Sequence, residues 1–146
     1  MTKAGLVYTG CALAVIGLLS GAAMASPYYA AWQAFQLRCL APFERFAPAQ
    51  TEDLIPVAGR DGAFQLPKGA VLVLGGADET GSRSCAVEGA GLIKGYREWQ
   101  AAVLQNGKYR ETQTPGLWIS HEWIEPRIIV EKTPGAIRVV ESFLES

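Results

Sequence analysis

Three turn signals divide the chain after Gly107: Thr114-Pro115-Gly116, Glu125-Pro126 and Thr133-Pro134-Gly135. Proline gives no N–H to a ladder or helix, and glycine accepts the backbone angles of tight turns. The segments left between them, 108–112, 117–124, 127–131 and 136–143, are too short for stable helices and rich in β-branched and aromatic residues. This punctuation predicts an antiparallel β-meander. It constrains the fold more than any other feature of the chain.

Upstream the pattern changes. Tyr28, Trp32, Phe35 and Cys39 recur at helical spacing behind Ser26-Pro27, an N-cap followed by proline at the first helical position. Pro42 is the expected stop. Leu92, Tyr96, Trp99 and Val103 repeat that spacing over 92–106, and Asn106-Gly107 closes the second helix. Gly95 weakens its first turn. Between the helices, 54–58 and 63–66 are candidate short strands around Gly59-Arg60-Asp61-Gly62. The runs 70–74 and 83–88 are further strands, separated by the loop GGADETGS. Helices followed by strands give an α+β domain, with two helices packed on an antiparallel sheet. A profilin-like arrangement is compatible with this order, as an architectural analogy that implies no function.

The first 25 residues are read separately. Lys3, the uncharged apolar run from Leu6 to Leu19 and the small residues Ala23 and Ala25 form the pattern of a secretory signal peptide, with Ser26 first in the mature chain. Residues 26–146 are then one exported domain, periplasmic or secreted. The rival is a retained membrane anchor, since 6–25 is long enough to span a bilayer. Cleavage removes Cys11 and leaves Cys39 and Cys85. In an oxidising compartment this pair is expected to form a disulfide, since Cys39 lies on the helix's apolar stripe and Cys85 points inward from its strand.

Composition excludes some functions. A formal charge of −1 without a basic run lacks the electrostatic footprint of a nucleic-acid binder. The GGADETGS loop has neither a P-loop ending nor dinucleotide spacing, and its adjacent Asp78 and Glu79 do not follow calcium-loop spacing. With one histidine and two paired cysteines, a zinc site is poorly supplied, so no metal or cofactor is expected.

The segment WISHEW, Trp118 to Trp123, holds that histidine. Strict alternation places Leu117, Ile119, His121 and Trp123 on one face, and Trp118, Ser120, Glu122 and Ile124 on the other. The first set is the more apolar and is assigned to the core. His121 and Glu122 then point apart, so they cannot act as base and orienting carboxylate. His121 is expected to be structural, buried and neutral. Trp118 and Glu122 are expected on the wetter face, with Arg127, Glu131 and Arg138 around them, as a candidate binding surface with Trp118 its anchor.

The expected function is a small exported, non-catalytic binding or interaction domain for a protein or small ligand. The alternatives are an acid/base enzyme using carboxylates on the Trp118 face, and a membrane-tethered accessory subunit that keeps its N-terminal segment.

Overall fold

A computed structural model describes residues 29–76, 79 and 81–143. The leader, the Ser26 cap, Cys11 and Asp78 lie outside the described residues. The architecture is α+β: two helices on a seven-stranded, wholly antiparallel sheet. The strands are β1 (Ala63–Gln65), β2 (Val71–Gly75), β3 (Arg83–Glu88), β4 (Tyr109–Glu111), β5 (Leu117–Ile124), β6 (Arg127–Thr133) and β7 (Ala136–Ser142). Their order is β1-β2-β3-β7-β6-β5-β4. The predicted meander is the half β7-β6-β5-β4. Of the two short strands expected between the helices, the second is β1. The first reduces to a single bridge, Pro56 to Phe64.

Helix α1 covers 30–43 and does not stop at Pro42. It is α-helical over Ala30–Phe35, widens into a π turn over Gln36–Leu40, and closes with an α turn over Ala41–Phe43. Proline inside a helix leaves the carbonyl four residues earlier without its donor. Here that carbonyl belongs to Arg38, and it accepts the Gln50 N–H at 3.0 Å. The π turn, in which the Ala41 N–H reaches Gln36, makes the room. A proline that was expected to end the helix therefore recruits the loop after it.

Helix α2 (Ile93–Asn106) ends on Gly107 in the left-handed region, φ 72°, as the Asn-Gly signal predicts. Gly95 has a packing reason. A Cβ there would fall inside the indole of Trp32, so glycine lets the two helices approach.

Both helices lie on one face of the sheet. A single core joins Trp32, Phe35, Leu40 and Phe43 of α1 and Val103 of α2 to Leu72, Val87, Ile137, Val139, Ile128, Val130 and Trp118 of the strands. The expected disulfide is present at its centre. Cys39 and Cys85 are bridged with Cα atoms 5.4 Å apart, and both are fully buried. It closes a loop of 46 positions, which loop-closure entropy values at roughly 4 kcal/mol.

Candidate functional site

Alternation holds from Leu117 to His121, but with the opposite face inward, and it breaks before Trp123. Trp118 is fully buried at 0% exposure, and Ser120 is buried beside it. His121 and Glu122 are exposed, and Leu117 and Ile119 are half-buried. Trp118 is thus part of the core and no surface anchor, and His121 is no core histidine. The faces were exchanged because Trp123 counts with Leu117 and Ile119 in strict alternation, and an irregularity in the β5–β6 ladder separates it from them. Leu117, Trp118 and Ile119 pair with Glu131, Val130 and Ile129, and then the register jumps to Ile124 opposite Arg127. Extra residues on β5 reset the alternation, so Trp123 returns to the same side as Trp118.

Ser120 stitches the gap. Its hydroxyl donates to the Trp123 carbonyl at 2.6 Å and accepts the Ile128 N–H at 3.1 Å. These bonds replace the ladder contacts that the bulge removes. Trp118 sits edge-on to Trp99, with centroids 5.4 Å apart, and its Nε1 donates to the Tyr96 hydroxyl at 2.9 Å. Trp123 packs near Tyr109, with centroids 6.2 Å apart. The two tryptophans that bracket His121 therefore anchor the hairpin into the aromatic core.

Two carboxylates flank Tyr109. Its hydroxyl donates to Glu44 at 2.6 Å, and Glu122 adds a second negative charge nearby. Burial, then these charges and the Glu44 bond, push the phenol far above its ordinary range, so it stays a neutral donor. Beside it a cleft of about 190 Å³ opens between the π turn and α2, lined in part by Gln36, Glu44, Trp99, Lys108 and Tyr109. A larger hollow of about 700 Å³ runs along the outside of α2. Its described lining, Gly91, Ile93, Lys94, Arg97, Glu98 and Ala101, comes from α2 and the turn before it. Among the described residues no group of three or more His, Cys, Asp or Glu could hold a metal ion.

Away from the helices lies the second face of the sheet. Register places Ser84, Val140, Ile129 and Ile119 in one cross-strand row, and Ala86, Arg138, Glu131 and Leu117 in the next. Val73 extends the second row on β2. These apolar side chains are half-buried, and both helices pack on the opposite side. A shallow hollow of about 170 Å³ opens between Ser84, Arg138 and Val140. Arg127, Glu131 and Arg138, expected around Trp118, instead surround Ile129 and Ile119.

Compared with family models, curated proteins and solved structures, the chain matches none. Function must therefore be argued from the geometry. Of the expected surface pair, Glu122 is on the outside and Trp118 is not, so they do not form one site. Sequence reasoning assigned Leu117 and Ile119 to the core, where they do not lie, and passed over Val73, Ala86, Ile129 and Val140. Their signal was present in β6 and β7. Ile128-Ile129-Val130 and Val139-Val140 are apolar at consecutive positions, so both faces of those strands are apolar, as in a sheet with something to meet on each side.

Proposed function

We propose that this chain is an exported, single-domain interaction module that binds a protein partner with the uncovered face of its sheet. The observation that carries the reading is the cross-strand row Val140, Ile129 and Ile119, with Val73, Ala86 and Leu117 beside it, on the face opposite both helices. Apolar side chains clustered on an open sheet face are what protein contact sites present. Export is supported by the small-residue pair Ala23 and Ala25 after an apolar run, and by the disulfide within the core.

Site-specific photo-crosslinking in the producing cell tests the reading. A photoreactive amino acid at position 129 should give a discrete adduct, and the same probe at Leu104, exposed on α2, should not. Thermal melts confirm that both variants fold. Adducts from position 104 alone, or from neither position, would overturn the assignment.

A further inference from the structure

We infer that the partner is a second copy of this chain, docked face to face about a two-fold axis that runs along the strands between β6 and β7. This rests on the reading of the uncovered face given above and names its occupant. The face is complementary to itself. In an isologous dimer a contact of one residue with another is repeated with the two exchanged, so side chains equally far on either side of the axis must complement each other. An axis between β6 and β7 lays β7 over β6 of the other copy, and β3 over its β5.

Charge matches first. Arg138 and Glu131 are directly opposite in the β6–β7 register, one on each side of the axis. The rotation sets Arg138 over Glu131 of the second copy, and Glu131 over its Arg138. Within one chain the two are joined by one bond of 2.9 Å, from Nη2 to Oε1, at the surface. The guanidinium has further donors and the carboxylate further lone pairs, so a second bond across the interface does not require breaking the first.

Size matches next. On this face β3 carries small side chains, Ser84 and Ala86, and β5 carries large ones, Ile119 and Leu117, in the same two rows. The axis that pairs the charges brings Ala86 under Leu117 and Ser84 under Ile119. Within the row of Ser84 and Ile119, Val140 meets Ile129. Each bulky residue thus faces a small one and the two intermediate ones face each other, which is how stacked sheets interdigitate.

The edges of the sheet point the same way. Both edge strands, β1 and β4, have three residues each, too short a ladder for a second copy to extend the sheet sideways. Area sets the strength. The axis pairs six strands, β7 with β6, β3 with β5 and β2 with β4, whose faces offer about 500 Å² per copy by strand spacing and rise, so a dimer buries about 1,000 Å² in total. That is the low end for specific association, and the dimer is expected to form over the micromolar to hundreds-of-micromolar range.

Sedimentation of the purified, oxidised protein across that range should show the mass doubling. Arg138→Glu and Glu131→Arg should each weaken the dimer about tenfold or more by placing like charges across the axis. An equimolar mixture of the two variants should dimerise again, because one then presents two acids and the other two arginines. Ile129→Lys should abolish association with its thermal melt unchanged. A wild-type protein that stays monomeric overturns the inference, as does a dimer insensitive to these changes or a mixture that fails to reassociate. The crosslinking above separates the two readings. An adduct at position 129 with a different protein supports the interaction module and overturns self-association, whereas an adduct of twice the chain mass supports both.

Discussion

Two arginine–glutamate pairs reach β7 from opposite sides of the sheet. Arg83 meets Glu141 at 2.7 Å on the face beneath the helices, and Arg138 meets Glu131 at 2.9 Å on the face away from them. The chemistry is the same and the surroundings are not. Glu141 is 6% exposed, and Arg83 lies over the Phe43 ring at 4.2 Å while also donating to the Ala47 carbonyl. That pair fixes the end of α1 and the loop after it to the sheet. Arg138 and Glu131 fix nothing else among the described residues and keep bonding capacity outward. One face is finished by its own chain, and the other has its charges and apolar rows arranged as though something remains to be added.

The largest difference between the faces should come from neighbours on one strand. Trp118→Ala removes a fully buried indole, its edge contact with Trp99 and its bond to Tyr96, and should cost about 3–5 kcal/mol. Ile119→Ala, one residue on and facing the other way, should cost about 1 kcal/mol. Urea unfolding with fluorescence and circular dichroism measures both. Equal losses would mean that the uncovered face is as much a core as the covered one.

The ion pairs sharpen the comparison at a smaller scale. Glu141→Gln leaves the half-buried Arg83 without its counter-charge and should cost about 2 kcal/mol, below the value for a wholly buried pair because Arg83 keeps some contact with water. Glu131→Gln should cost less than about 1 kcal/mol, as exposed pairs do. Denaturant midpoints of the two variants, taken at low concentration where association is absent, give the contrast directly. A costly Glu131 and a neutral Glu141 would reverse the roles assigned to the two sides.

Much of this division was legible in the sequence, and its failures have one cause. Helical spacing located α2 to within a residue, and the inward positions of Cys39 and Cys85 on their elements gave the disulfide. Turn residues marked out the meander. Period-two alternation placed Cys85 and Val87 inward correctly, because β3 pairs regularly along its length. In β5 the same rule held from Leu117 to His121, but the wrong face was taken as inward, because the strand is interrupted beyond Ser120, whose hydroxyl bonds the Trp123 carbonyl. Counting apolar residues could not detect this: Trp123 contributed to the wrong face from beyond the bulge. Pro42 failed for a related reason. Its cost to the helix is met by a π turn and by the Gln50 N–H, a partner that only the tertiary fold supplies.

That partner loop bears the smallest test, which asks how far the protection of the covered face extends. Arg38 holds the loop twice, through its carbonyl and through its guanidinium, which bonds Asp53 at 2.7 and 2.9 Å and the Gln50 carbonyl at 3.0 Å. The Arg38 bonds, with a lesser contribution from the loop's own backbone, lower the Asp53 carboxyl to about 2, although the carboxylate is in water. A carboxyl whose folded pKa lies below its unfolded value of about 3.9 stabilises the fold above that value and loses the effect as pH falls towards the folded one. Wild type should therefore melt slightly higher than Asp53→Asn at pH 7, with the gap closing between about pH 4 and pH 2. Added salt should narrow it at neutral pH, because an exposed pair is screened. Melting temperatures of both proteins across that range decide the point. A gap that persists undiminished at pH 2 would show that Asp53 acts through the shape of its loop, and that the loop's hold on α1 rests on the Arg38 carbonyl alone.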